Sequence, residues 1–255
     1  MASLSVPAAA TDPRRDAMDL HRAFKGFGDV TDLRAATEVI CSRTPSQLRV
    51  VREAYLAGYA GGVGVAGGGQ LERDVAERTS GDHQRLLLAY LRAARYEGPE
   101  MVDPCAAARD ARKLYRAGER RLGTDERTFI RIFSERSAAH MVAVAAAYQH
   151  MYDRSLEEAV KSETSGNFGY GLLTILRCAE NPAKYFAKVL HKAMKGLGTN
   201  DTTLIRVVTT RTEIDMQYIK AEYHRSYKRS LADAVHSETS GNYRTFLLSL
   251  IGRDR

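Results

Sequence analysis

The segment KAMKGLGTND, residues 192–201, interrupts a helical pattern with two glycines, and an acidic residue follows it at a fixed distance. Its second glycine, Gly198, lies 40 residues before Glu238 in the segment HSETSGN. The same spacing occurs 75 residues earlier, where GERRLGTDE places Gly123 40 residues before Glu163. Because a fixed interval points to a repeated structural unit, this pair of motifs indicates the architecture of the chain.

Two units of about 75 residues align closely when the chain is compared with itself. Arg136 falls on Arg211, and the hexapeptide SETSGN occurs at both 162–167 and 237–242. A first unit, whose turn ends at Gly28, is less regular. We therefore predict an N-terminal tail at 1–13, a first repeat at 14–93 with a glycine-rich insertion at 60–69, a second repeat at 103–179 and a third at 181–252.

Each unit is predicted to contain five helices. Asn181 followed by Pro182 is a helix start, because the asparagine side chain caps the helix and proline lacks only an N–H that has no partner at that position. Thr199 is the expected cap of the helix after the turn, and Leu204 and Val207 begin an apolar stripe at helical spacing. No segment shows convincing strand alternation, so the predicted fold class is all-α.

Composition restricts the class of protein. At 255 residues the chain is long enough to bury a sizeable core. Its three cysteines form no CxxC pair, which argues against a disulfide framework and against a zinc site. No signal peptide or membrane-spanning stretch is evident, so we expect a soluble protein inside the cell. The net charge of +7 favours acidic partners, such as lipid headgroups, nucleic acid or acidic protein surfaces.

A carboxylate beside a glycine-rich turn offers hard oxygen ligands. In the third unit these would be the carbonyls of Met194, Gly196 and Gly198 and the side chain of Glu238, with room left for water or a lipid phosphate. Calcium suits this set because it accepts six to eight oxygens in flexible geometry, whereas zinc prefers nitrogen and sulfur. A single glycine turn is usually only a helix C-cap. The repeated interval favours calcium.

The combination of motifs resembles the annexin repeat. MKGLGT is followed at a fixed distance by the glutamate of SETSG, in five-helix units with an arginine after the second helix, over about residues 14–252. The opening MASLSVPA and the segment RYEG resemble the plant branch of that family. The resemblance implies reversible, calcium-dependent binding to membranes rich in acidic phospholipids, with Ca²⁺ between loop and headgroup. It also implies a cytoplasmic protein that is peripheral at membranes when calcium rises.

The resemblance implies calcium sites of unequal quality. The complete ligand pattern is in the third unit: Met194, Gly196, Gly198 and Glu238. The middle unit keeps Gly123 and Glu163. Arg121 replaces its first glycine and Glu119 its methionine, which predicts a weaker site.

The first unit retains the turn without the acid. Phe24, Gly26 and Gly28 match the turn positions. Arg78 stands at the acid position, with Glu77 beside it. This unit would therefore form a calcium site only if the neighbouring acid reaches the loop.

The number of repeats departs from the family. Annexins normally have four, and here the first unit joins a first-repeat-like beginning, up to Gly28, to a second-repeat-like part from about Ala35 onward. Because neighbouring repeats in this fold pack against one another, a missing repeat should expose apolar surface. The sequence leaves two consequences open: formation of a homo-oligomer, or instability.

A second hypothesis is a helical-repeat interaction protein that uses its basic surface irrespective of calcium, with a cytoskeletal or nucleic-acid partner. The tripeptide IRI at 130–132 resembles one proposed for actin binding in plant annexins, although both isoleucines fit helix packing better. No specific nucleic acid is expected. The seven histidines form no HExxH, and no nucleophile or organic-cofactor context is recognisable, so we expect no enzymatic activity.

Overall fold

The computed structural model describes residues 12–26, 31–59, 69–98, 101–196 and 198–252. Every regular element in these ranges is a helix, which confirms the predicted all-α class. Gly28 and nearly all of the glycine-rich insertion, residues 60–68, lie outside the described residues.

The helices follow one another in three groups of five. The first group is α1 (Pro13–Lys25), α2 (Leu33–Ser42), α3 (Pro45–Tyr59), α4 (Gln70–Arg78) and α5 (Gly81–Arg92). The second is α6 (Pro104–Ala117), α7 (Glu126–Glu135), α8 (Ala138–Tyr152), α9 (Leu156–Glu163) and α10 (Gly166–Glu180). The third is α11 (Pro182–Met194), α12 (Asp201–Arg211), α13 (Met216–Tyr227), α14 (Leu231–Glu238) and α15 (Gly241–Ile251).

The second helix of each group begins at the same kind of cap. The side chains of Asp32, Asp125 and Asn200 accept hydrogen bonds from backbone N–H groups three residues further on. Each cap satisfies a donor that has no partner inside the helix. In the third group the cap is Asn200, and the prediction of Thr199 was wrong by one residue.

The chain divides into two compact units. The larger is Ala17–Glu180, and the smaller combines Asn181–Arg255 with Met1–Asp16. In the larger unit the first and second repeats pack in a crossed manner, α2 against α10 and α5 against α7. Gly171 of α10 lies at this contact: a Cβ there would stand 2.9 Å from Cδ2 of Leu86 and 3.2 Å from Cγ2 of Thr37. Glycine is therefore needed for the close approach of the helices.

In the smaller unit α11 packs against α12 and α13, and α14 against α15. The predicted apolar stripe is confirmed, since Leu204 and Val207 are fully buried. Arg211, at the end of α12, is buried and bonded to the carboxylate of Asp215, and its guanidinium lies 4.3 Å from the ring centroid of Phe186. A charged group in this setting needs such a partner, so the recurring arginine is structural here.

The second repeat has its own buried carboxylate. Asp110 of α6 is buried and accepts from Nε of Arg136 at 2.7 Å, from Nζ of Lys113 at 2.8 Å and contacts Nε2 of His140 at 3.1 Å. Burial alone would raise the pKa of Asp110, but the two cationic partners outweigh it and lower that pKa to about 2. Three elements are thus tied to one side chain.

Replacing Asp110 by asparagine is expected to lower the free energy of unfolding by about 2 kcal/mol at neutral pH, since charged hydrogen bonds are lost. Because the folded-state pKa lies below the unfolded value of about 3.9, the carboxylate stabilises the protein above that value. Its contribution is lost as pH falls towards about 2. The wild type should therefore lose more stability than the variant over this range, measured by urea unfolding at several pH values.

The matched control is Asp82→Asn, which removes a carboxylate paired with Arg85 near the surface. Exposed pairs of this kind contribute less than about 1 kcal/mol. Equal effects of the Asp110 and Asp82 variants would contradict a structural role for the buried cluster.

Candidate metal-binding loops

The loop between α11 and α12 has a backbone that only glycine adopts easily. Gly196 has φ 130° and Gly198 has φ 89°, in the region that L side chains rarely adopt. A Cβ at either position would meet no atom within 4 Å, so the requirement is conformational and not a matter of space. Main-chain carbonyls are thereby turned in directions that a regular helix does not allow.

The acid reaches this loop through a side chain-to-backbone hydrogen bond. Glu238 is the last residue of α14 and is exposed. Oγ1 of Thr199 donates to the carbonyl oxygen of Glu238 at 3.1 Å. The structure thus brings the end of the glycine turn next to a residue 39 positions away. Met194 ends α11 with a buried side chain, and carbonyls at a helix end have no partner within the helix.

The second repeat shows the same arrangement with the carboxylate itself in place. Gly123 has φ 76°. Oγ1 of Thr124 donates to the carbonyl oxygen of Glu163 at 3.0 Å and to Oε2 of the same residue at 3.2 Å. A Cβ on Gly118 would stand 2.8 Å from Cγ and 3.2 Å from Oε2 of Glu163. The carboxylate therefore lies between the first and the last residues of its loop.

The two loops differ in length, which alignment by a constant shift of 75 did not detect. Each is closed by a backbone bond to the last buried alanine of the preceding helix: Asp125 N–H to the Ala117 carbonyl, and Asn200 N–H to the Ala193 carbonyl. The second-repeat loop is one residue longer between these points. Gly118 therefore takes the position of Met194, and the assignment of Glu119 to it was wrong.

Glu119 has a different role. Its carboxylate accepts from the hydroxyl of Tyr148 and from the guanidinium of Arg154. Burial, followed by the bond to Glu119, raises the pKa of Tyr148 above its ordinary value. A signal for the extra residue was present in the sequence, because Tyr115 and His191 stack on residues 75 apart, Tyr152 and Tyr227, yet are themselves 76 apart.

The predicted first-repeat residues form part of a turn without the acid. Gly26 has φ 67° and donates its N–H to the carbonyl of Arg22, and the Phe24 side chain is fully buried. Gly28 lies outside the described residues. Arg78 is the last residue of α4, as Glu163 and Glu238 are the last residues of α9 and α14. Glu77, next to Arg78, is exposed.

The described part of the chain contains no cluster of three or more histidine, cysteine, aspartate or glutamate side chains that could hold a metal. A site of main-chain carbonyls with one carboxylate is not of that kind, since it has a single acidic side chain. Within the same residues, each helix is too short or too polar to cross a membrane.

The fold and the loops define an array of five-helix repeats with glycine turns, and comparison with known proteins agrees. The annexin family model matches residues 15–90, 109–175 and 185–250. Annexin D5 of Arabidopsis thaliana is 50% identical over 238 residues, which are 93% of this chain and 72% of that protein. The chain therefore belongs to the annexin family, which is known for calcium-dependent phospholipid binding.

Solved annexins have the same fold. The structure of annexin III matches with a TM-score of 0.87 at 35% identity and covers 96% of this chain and 73% of its own. The calcium-bound structure of annexin (Sm)1 matches with a TM-score of 0.80 at 31% identity and covers 94% of this chain and 70% of its own. Calcium is thus bound by a protein of this fold and family.

Proposed function

We propose that the protein binds acidic phospholipid membranes reversibly and in a calcium-dependent manner, with the third-repeat loop as the principal site. The observation that carries the proposal is the bond from Thr199 to Glu238, which holds an exposed acid at a turn with two positive-φ glycines. Cytoplasmic residence, with recruitment to membranes as calcium rises, follows from this function. We propose no catalytic role.

The donors present at the third-repeat loop fit a hard divalent cation. The carbonyls of Met194, Gly196 and Gly198 and the carboxylate of Glu238 would hold Ca²⁺, and all of these donors are oxygens. When bound, Ca²⁺ supplies the positive charge that attracts a lipid phosphate. The protein contributes a preformed turn and an acid whose position does not depend on its own carboxylate, since Thr199 is bonded to the Glu238 main chain.

The second-repeat loop is the weaker candidate. Oε2 of Glu163 already accepts from Thr124, so a cation must compete with that bond. Arg121 is exposed in the same loop, and its positive charge opposes cation binding. In the first repeat the position of the acid is held by Arg78, and we propose no principal site there.

The experiment that tests the proposal is co-sedimentation with phosphatidylserine vesicles across a calcium titration. The protein should sediment with vesicles as calcium increases and return to the supernatant on addition of chelator. A parallel titration without lipid controls for aggregation. A correctly folded protein that fails to bind at any calcium concentration, or that binds equally in chelator, would refute the proposal.

A basic surface supports a second candidate, a calcium-independent interaction with an acidic partner. Arg116, Arg120, Arg121 and Arg127 are exposed around the fully exposed Leu122. Binding through such charges should weaken with salt and ignore chelator. The tripeptide proposed for actin contributes little to this surface, because both of its isoleucines are buried in the second repeat. This favours their role in packing.

A further inference from the structure

Matching positions in the three repeats have very different exposure. In the second helix, Ile130 of the second repeat is 8% exposed, whereas Ile205 at the matching position of the third repeat is 39% exposed. In the fifth helix, Leu86 and Gly171 are buried, whereas the matching Phe246 is 50% exposed. The matches follow from shared caps and from the positive-φ glycine that opens each fifth helix.

In the first two repeats this face is covered by the other repeat. The second helix of each packs against the fifth helix of the other, α2 with α10 and α7 with α5. Leu86 and Gly171, which occupy the same position in their repeats, meet at the centre of the contact. This crossed arrangement is what a two-fold relation between equal faces produces, because each element contacts its counterpart reciprocally.

The corresponding surface of the third repeat, here called the third-repeat face, comprises Ile205 and Thr209 of α12 with Phe246, Ser249 and Leu250 of α15. An exposed phenylalanine beside an exposed isoleucine is an apolar surface of the kind that marks an interaction site. By the matches above, the three groups nearest Gly171 in the larger unit, Leu86, Thr37 and Cys41, correspond to Phe246, Ile205 and Thr209.

Charge argues for an identical partner. None of the five residues of the third-repeat face is charged, although the chain carries a net charge of +7. Charged groups border the face only near its ends, with Asp201 at the start of α12 and Arg15 donating to the carbonyl of Thr209 at 3.3 Å. Arg244 of α15 is directed to the carbonyl of Thr239 in its own repeat. An acidic partner would gain little here, and two copies would not repel each other.

We propose that the third-repeat face binds the same face of a second copy of this chain, forming a two-fold dimer. In this dimer α12 of each copy packs against α15 of the other, as α7 and α2 pack against α5 and α10 within one chain. Phe246 lies at the axis and contacts Phe246 of the second copy. Two phenylalanine rings are larger than the leucine and glycine of the internal contact, so the two α15 helices lie further apart than α5 and α10.

The first test is the mass of the purified full chain in solution, measured by sedimentation velocity in chelator and without lipid. These conditions separate the dimer from calcium-dependent membrane binding, so either proposal can fail alone. We expect a dimer at micromolar concentration. Phe246→Glu places like charges at the axis and should raise the dimer dissociation constant by roughly 30-fold or more, as expected for a central contact residue. Ile205→Glu should act in the same direction.

The matched control is Tyr218→Glu, which changes another half-exposed aromatic residue, on α13 and outside the face. It should leave the dimer intact, and circular dichroism should show all variants to be folded. Cross-linking gives a second measurement: in a Cys105→Ser background, Phe246→Cys should form a disulfide-linked dimer and Tyr218→Cys should not. A monomeric wild type, or an unchanged dimer in Phe246→Glu, would overturn the proposal.

Discussion

Replacing Glu238 by glutamine is expected to raise the calcium concentration for half-maximal vesicle binding by at least roughly 10-fold, or to abolish the binding. The amide is neutral and offers one oxygen, so the variant loses both the charge and one potential ligand. The local structure should survive, because Thr199 donates to the main-chain carbonyl of residue 238, which the substitution does not change. Loss of binding would therefore report on the ion and not on folding.

Two controls carry the same chemical change. Glu163→Gln alters the weaker loop, where Thr124 and Arg121 already oppose cation binding, and should shift the calcium requirement less than Glu238→Gln. Glu77→Gln alters an exposed acid beside Arg78 and should have no effect. All three proteins are compared by co-sedimentation across the same titration. If Glu163→Gln had the larger effect, the second repeat would hold the principal site.

Replacing Gly171 by phenylalanine is expected to lower the free energy of unfolding by at least about 3 kcal/mol, or to prevent folding of the larger unit. The Cβ alone would stand 2.9 Å from Cδ2 of Leu86 and 3.2 Å from Cγ2 of Thr37, and the ring has no space between α10 and its neighbours. The variant would carry the side chain that the third repeat has at the matching position, Phe246. Urea unfolding followed by circular dichroism measures the effect.

Gly58→Phe is the matched control, because Gly58 also lies within a helix but a Cβ there would meet no atom within 4 Å. Phenylalanine has a somewhat better helix propensity than glycine, so this variant should be unchanged or more stable by about 0.5 kcal/mol. If Gly171→Phe unfolded at the same urea concentration as Gly58→Phe, the close packing of the first two repeats would be wrong.

Local sequence determined the helices and their repetition. A capping side chain followed by proline, as at Asn181 and Pro182, acts within one turn, and the structure has α11 starting at that proline with Asn181 as its cap. The fixed spacing of Gly198 and Glu238 also predicted that turn and acid belong together, because equal helices between them place the acid equally in each repeat. These features depend on residues near one another in sequence, or on repetition.

Details of the loops required the tertiary structure. The sequence interval placed Glu119 at the first ligand position, whereas the backbone bond from Asp125 to Ala117 shows that Gly118 occupies it. The sequence also suggested Thr199 as a helix cap, whereas its hydroxyl is bonded to Glu238. In both cases several local partners were possible, and distant atoms brought near by folding decided between them.

The clearest division concerns Ile130 and Ile205. They are the same residue at the same position of the same helix, within similar apolar stripes, and the sequence predicts one environment for both. The structure buries Ile130 and leaves Ile205 exposed. A helix and its apolar side follow from local periodicity, but burial requires a second surface, and only the arrangement of the whole chain decides which repeat receives one.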